Sequence, residues 1–588
     1  MKRFFSAIVL TAAALSFLAA PASSKDIKYA LAILHYNLQY VAGDTEIENK
    51  IIVQSLDPVL DFFLAHPDWG VDVEMQGYMI EETAKRYPAI FEKLKTLVNR
   101  RQIDLVSFHY ADQLFLAYPR LDTDWSDRIN KKVFEKHGLI QSTTVFTQEG
   151  QFGEGLASFM ADKGFKTLVL PKNLYRYAHG EKNAAPYYRL NNTYVVIGAK
   201  GVDYEGEASV HTAWSYMDDA ELLPTGRATP YSIYFKYKPE KMKEYEDELK
   251  GLETQGYKIG TIANYVAELK EAGVKPAQLE PMFDGDWQPK DTDSLFRWMG
   301  DYRAQFERDN EILTANVRVR HKLAAAQIII DYLRDFGFEK DAADLEPVLA
   351  EAWRLQCQAE VSDSTGWTPM PVEIKYSQTN SAGANALAEK IANRAKELLK
   401  TKTLTVNIAS GELTLAAPAE SKRPETACPV DYKLTGDIEK KSHACFKISD
   451  NITQLDVKFK TTNWFKNNTR LIFPRKTDFL IYSPSLLEDA YVKYPTSAFK
   501  SETGSFYIPA SNGLIALDDD LFIIKKTDIV HVSPRFGFDE PTISFDMRKP
   551  PNGVHSWTFY FFRGTPEDAV RFANKTNVFP TVVLGGEI

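Results

Sequence analysis

The chain has 588 residues, 44% of them apolar, 25% charged and 12% aromatic, which fits a globular protein of several domains and excludes a disordered, collagenous or polytopic membrane chain. Lys and Arg number 70 against 79 Asp and Glu, and the resulting charge of −9 argues against a nucleic-acid partner, because phosphate binding leaves a basic excess. Three Cys are too few for a disulfide-dense scaffold or a multi-cysteine zinc module.

The chain opens on Lys2 and Arg3, an apolar run over 4–20 and the small-residue site Ala20-Pro21-Ala22. This is the pattern of a secretory signal, predicted over residues 1–22. The run sits at the short limit for crossing a bilayer, and no later stretch is as long and apolar. The expectation is a periplasmic or secreted protein with no membrane contact once the signal is removed. Export disfavours chemistry that consumes ATP or reduced nicotinamide and lets Cys428 and Cys445 pair across a polar, turn-rich segment. Cys357 lies in an apolar helical pattern and reads as a buried thiol.

Residues 26–290 alternate short β runs (29–34, 70–74, 103–108, 142–147, 167–170, 194–198, 231–235, 257–261) with amphipathic helical stretches (82–100, 153–163, 241–255, 262–272). That alternation predicts parallel strands with crossover helices, an α/β unit built as a barrel or an open sheet. Residues 291–402 predict a helical bundle from long patterns at 294–336, 341–358 and 384–400. From 403 to 588 short alternating runs separated by Gly, Pro, Asn and Asp predict a β-sandwich, with runs at 404–408, 454–460, 470–473, 478–482, 521–525 and 557–562.

In a parallel barrel the functional groups project from the C-terminal strand ends. Four early runs end in polar groups: His35-Tyr36-Asn37-Leu38-Gln39, Glu74-Met75-Gln76, His109-Tyr110-Ala111-Asp112 and Gln148-Glu149-Gly150-Gln151. Ordinary loops favour Gly, Pro, Asn and Ser, whereas these supply His, Gln and Glu. A further acidic cluster follows Trp214, at Asp218, Asp219 and Glu221. Glu149 and Asp219 come from separate elements and could face each other across a cleft. Glycoside cleavage needs such a pair, one carboxyl to attack or activate water and one to protonate the leaving oxygen. A neighbouring negative charge helps the acid keep its proton. Trp287, in Asp284-Gly285-Asp286-Trp287, Trp298, and Asp363 with Trp367 in the polar break of the bundle are candidates to border the cleft, the aromatic faces by stacking on sugar.

These residues resemble glycoside hydrolase family 57. HYNLQY offers His35 and Gln39 for that family's first motif, without its Pro. RQIDLVSFHY matches the second loosely through Asp104 and His109. FTQEGQF places Glu149 where the family has its nucleophile, just after the fourth strand. SYMDDAELLPTG matches the acid/base element with Asp219 and Glu221. The resemblance covers residues 28–300. It implies an incomplete, seven-stranded (β/α) barrel followed by a helical bundle and a retaining mechanism on α-glucans or α-galactosides. In it Glu149 attacks, Asp219 serves as acid/base, and no metal or other cofactor takes part. By the same reading His35, Asn37, Gln39, Glu74, Gln76, His109, Trp214, Glu221, Trp287, Asp363 and Trp367 bind substrate.

The domain order also resembles the α-mannosidases of family 38, which join a β/α domain, a bundle and sandwiches. That family holds zinc through His-x-Asp at the first strand, where this chain has His35-Tyr36-Asn37, and Asn is a poor substitute for a zinc-binding carboxylate. The Asp-Asp and His-x-x-x-His of the polysaccharide deacetylases are not found. The expectation is an exported glycoside hydrolase or transglycosylase. The alternatives are a non-catalytic glycan-binding or assembly protein and a metal-dependent hydrolase of the mannosidase or deacetylase type. Sugar identity and oligomeric state depend on loop and surface geometry that these patterns do not encode.

Overall fold

The computed structural model describes residues 25–226, 235–280, 282, 284–287, 306–365 and 369–418, and residues 423–585 apart from 437, 463–467, 476–478, 488, 496–504, 508–511, 517–518, 527–532, 538–542 and 549–551. The signal segment, residues 231–234, the start of the first bundle helix at 294, Trp298 and Trp367 lie outside the described residues.

Strand β1 (Asp26–Tyr36) is the hub. Its odd positions, Ile27 to Ile33, enter one hydrophobic core and its even positions, Ala30 to Tyr36, enter another. A strand buried on both faces reads as a continuous apolar run, as DIKYALAILHY does. Parallel to β1 run β2 (Val71–Met75) and, beyond it, β3 (Ile103–Leu105). A second sheet holds β4 (Thr144–Val145), β5 (Thr167–Pro171), β6 (Tyr188–Leu190) and β7 (Thr193–Gly198), with β4, β5 and β7 parallel. Strand β8 (Val202–Glu205) turns back as a hairpin into β9 (Ser209–Asp219), which pairs in parallel with β1 along its whole length. Strand β10 (Lys258–Ile259) adds to β1, and β11 (Ala277–Gln278) to β6.

The two sheets meet at β3 and β4 through a parallel bridge between Leu105 and Gln141 and a bond from Phe146 N–H to Val106 O at 3.0 Å. The parallel strands therefore run β9-β1-β2-β3 and then β4-β5-β7. Among the described residues no ladder joins β7 to β9, and the barrel is open there.

The helix expected over 82–100 is two helices, Gly77–Arg86 and Pro88–Asn99. Pro88 lacks an N–H and disfavours helical backbone at Tyr87, so the chain stops and restarts. An 18-residue helix, Arg120–His137, was not anticipated; it starts after Pro119 and ends at Gly138 in left-handed backbone, φ +63°. Its sequence is so polar that only a narrow stripe, including Ile129, Val133 and Phe134, marks its buried face.

Helices Phe306–Asp335, Glu339–Ala359 and Pro371–Leu398 pack on one another and on the first sheet's outer layer. Trp353, fully buried, stacks on Trp125 of the barrel layer at 5.3 Å. Strand Leu404–Asn407, expected in the sandwich, instead pairs with Glu412–Thr414 and Thr581–Leu584 in a small antiparallel sheet, and Leu404 and Val406 join the bundle's core. The segment between carries two antiparallel sheets whose facing sides interdigitate aromatics, as in Phe545 against Phe559 at 4.9 Å and Phe473 against Phe561 at 5.9 Å. Cys428 and Cys445 are joined there, and Cys357 is a buried free thiol. No helix of the described residues is long and apolar enough to cross a membrane.

Candidate active site

The register of β1 sets one side of the site. His35 lies opposite Glu74 of β2 and opposite Asp219 of β9, so three strand ends bring these residues to one level. Beyond Asp219 the chain enters a short turn, Ala220–Leu222. Glu221 in this turn is fully buried and accepts the backbone N–H of Asn37. Burial, with the charge of Asp219 adding to it, pushes the Glu221 carboxyl well above its usual range.

The other side hangs on a turn after β4. Glu149 has φ +54°, a left-handed conformation uncommon for a residue with a side chain. It is followed by Gly150 at φ +52°, where a Cβ would lie 2.5 Å from Pro171 and 2.9 Å from Trp287. The turn is held by its neighbours. Trp287 donates its backbone N–H to Glu149 O at 3.0 Å and its indole N–H to Glu149 Oε2 at 2.6 Å. Gln148 donates to Ser362 Oγ of the bundle at 2.9 Å. The segment carrying Trp287 is tied to the sandwich through Asp284, which accepts the Ser485 N–H at 3.0 Å and donates its own N–H to Tyr482 OH at 3.2 Å.

Glu149 and Asp219 line a common cavity of about 260 Å³ with His35, Trp287, Lys172 and Asn173. Burial raises the Glu149 carboxyl to about 8; the Trp287 N–H opposes this and the Asp219 charge adds to it. On His35 burial works against the charged ring, but Glu74 overrides it and holds the pKa well above the ordinary value. Such a cavity, rich in carboxyls and with one exposed indole face, can bind a polyol and stabilise positive charge developing at a ring carbon.

The predicted residues divide. His35, Glu149, Asp219 and Trp287 reach the cavity. Asn37 and Asp363 join behind it, Asn37 Nδ2 donating to Asp363 Oδ2 at 2.6 Å, and Gln76 Nε2 donates to Asn37 Oδ1 at 3.2 Å. Gln39, Glu74, Gln76 and His109 have no exposed surface and stand behind the wall. Gln39 ties the barrel to the bundle by donating to Tyr376 OH at 3.0 Å. Trp214, expected to touch sugar, sits mid-strand opposite Leu31 and donates its indole N–H to Lys200 O at 3.1 Å. Five residues before Asp219, it lies roughly 16 Å back along the strand, and it does not line the cavity. Lys172 and Asn173 were missed, although they follow β5 and the strand-end rule applied there would have found them.

The zinc site implied by a family 38 layout does not fit. Its carboxylate position holds Asn37, whose amide is committed to Asp363 and Gln76, and His35 Nδ1 is bonded to Glu74. Two other groups of side chains have metal-ligand proximity among the described residues: Glu74, His109 and Asp112 inside the barrel, and Asp203, Glu205 and His211 on the exposed β8–β9 hairpin.

No family model matches the chain. Alpha-amylase 1 of Dictyoglomus thermophilum is 26% identical over 148 residues, and the match spans 25% of this chain and 21% of the length of that relative. The crystal structure of an α-mannosidase from Enterococcus faecalis V583 superposes with a TM-score of 0.63 at 9% identity, covering 95% of this chain and 90% of that one. A GH57-type branching enzyme from Pyrococcus horikoshii superposes at 0.43 and 13% identity over 63% of this chain and 91% of its own. The chain is thus similar to an amylase in sequence over a limited segment and to an α-mannosidase in fold along nearly its whole length.

Proposed function

We propose that the protein is an exported glycoside hydrolase, or a transglycosylase using the same site, that acts on an α-linked poly- or oligosaccharide by a retaining two-carboxylate mechanism. The observation that carries the reading is the shared cavity of Glu149 and Asp219, with the Trp287 indole bonded to one of them. Glu149 attacks the anomeric carbon and Asp219 protonates the leaving oxygen. In the second half-reaction Asp219 deprotonates the incoming water or sugar hydroxyl, which displaces Glu149.

For this sequence Glu149 must be ionised, against the burial that chiefly keeps it protonated. The charge of Asp219 is one of the causes that keep Glu149 protonated. A proton moved onto Asp219 removes that charge and favours the Glu149 carboxylate, which the Trp287 N–H stabilises further. One proton shared between two carboxyls is the state that acid/base catalysis requires.

Glu149→Gln and Asp219→Asn are expected to abolish cleavage across a panel of α-glycans with the fold intact by circular dichroism. Retained activity in both sinks the assignment, and absence of cleavage by the wild type with persistent glycan binding favours a binding protein. Carboxyl groups about 5–5.5 Å apart fit retention, and about 6.5–9.5 Å would indicate inversion. A second reading exchanges the roles, because the raised pKa also suits Glu149 as the acid. Azide restoring cleavage of an activated aryl glycoside by Glu149→Ala, with the stereochemistry of the azide product, decides between them.

A further inference from the structure

We propose that Glu74, His109 and Asp112 form a buried site for one first-row divalent cation, with zinc the best match, structural in role and separate from the sugar cavity. The three residues come from the end of β2 and the loop after β3, and each has no exposed surface. One ligand atom from each lies within 4.8 Å of the others. His109 Nε2 is 2.9 Å from Glu74 Oε1 and 3.7 Å from Asp112 Oδ1. Donors held about 2.0–2.2 Å from one zinc ion sit roughly 3–4 Å apart, which spans both separations.

A second observation is independent of that proximity. Both carboxylate oxygens of Asp112 and Nδ1 of His109 are buried with no hydrogen-bond partner, whereas His109 Nε2 and Glu74 Oε1 meet each other. Buried polar atoms are normally satisfied, and a group of orphans at one point asks for a missing partner. A ligating imidazole gives up its proton, and with the two carboxylates it then leaves two negative charges, which one divalent ion balances. One nitrogen and two carboxylate oxygens suit zinc better than calcium, which takes six to eight oxygens, or a soft ion, which takes sulfur.

The surroundings hold these side chains in place. His35 occupies Glu74 Oε2 and leaves Oε1 for the ion. The Asp112 N–H donates to Gln39 Oε1 at 3.1 Å, and the His109 carbonyl accepts the Gly77 N–H at 3.1 Å. Outer partners of this kind orient metal ligands. None of the three ligands lines the sugar cavity, so the proposal does not depend on the glycoside reading. His35 belongs to both places, and through it an ion could steady the cavity wall.

The test is elemental analysis of the full chain purified without added metal, followed by thermal unfolding with and without a chelator. The expected result is about one zinc per chain and a Tm that falls on chelation and returns with zinc. His109→Gln and Asp112→Asn should each lower the retained zinc at least about tenfold, and His211→Ala on the exposed hairpin should not. If the wild type holds no stoichiometric metal and zinc leaves its Tm unchanged, the proposal is wrong. It is equally wrong if both inner variants keep zinc or if His211→Ala is the one that loses it. Cobalt replacement gives a further check without any variant: visible absorption of a low-symmetry site should appear in the wild type, and the spectrum of hexaaquo cobalt alone would overturn the site.

Discussion

Asp219 and Glu149 meet in one cavity on supports of opposite kinds. Asp219 ends an 11-residue strand whose register with β1 runs from Asp26 opposite Ser209 to His35 opposite Asp219, with one irregularity after Leu31. Its place is fixed by a continuous ladder. Glu149 follows a two-residue strand and sits in left-handed backbone. Its place is fixed by contacts from Trp287, from Ser362 of the bundle and, through Asp284, from the sandwich. A carboxyl on a ladder tolerates loss of one neighbour, whereas a carboxyl on a propped turn depends on each prop.

The largest effects should come from the carboxyls themselves. Glu149→Gln and Asp219→Asn are expected to cost about 10³-fold or more in kcat/KM, measured on the best glycan found. Next is Gly150→Ala. The new methyl collides with Pro171 and Trp287 in backbone that already disfavours it. Activity should drop about 10²-fold through displacement of Glu149, with about 1–3 kcal/mol lost in chemical denaturation. An equal loss of activity with no change in stability would mean that the turn is not propped.

Trp287→Phe keeps a ring and removes the indole donor. The donor favours the ionised Glu149, so its loss raises that pKa further above about 8. If Glu149 is the nucleophile, activity rises with pH through this pKa and the rising limb moves to higher pH. If it is the acid, a falling limb moves the same way. A pH profile of kcat/KM reads both the direction and the role, and an unmoved profile breaks the link between Trp287 and Glu149. The smallest effects test the props against the ladder. Ser362→Ala removes the acceptor of Gln148 and should cost about 1 kcal/mol with a measurable loss of kcat. On the other side Tyr216→Phe removes the bond from Tyr216 OH to Asp219 O at 2.8 Å. It should leave kcat almost unchanged, because the ladder remains.

The same contrast explains what the sequence made legible. Strand ends are local, so His35, Glu149 and Asp219 could be read from runs that stop at polar residues. The props are not local: Gln148 meets Ser362 across 214 positions, and Asp284 meets Ser485 across 201. No periodicity signals such a pairing. Trp214 is the tryptophan nearest to Asp219 in sequence, but in an extended chain nearness in sequence is distance in space. The break at Pro88 was readable from the residue itself. The helix Arg120–His137 was not, because nearly all its surface is polar. Leu404–Asn407 alternates as a sandwich strand would, and alternation alone cannot say which sheet receives it.

That small sheet also dictates an order of events. As the chain emerges during synthesis, Leu404–Asn407 and its hairpin partner appear early, with the bundle beside them. The third strand, Thr581–Leu584, appears only after both sandwich sheets have been made. Until then Leu404 and Val406 lack one edge of their pairing while already facing the bundle's apolar surface. The sandwich is therefore a long insertion within a clasp, and the clasp shuts last.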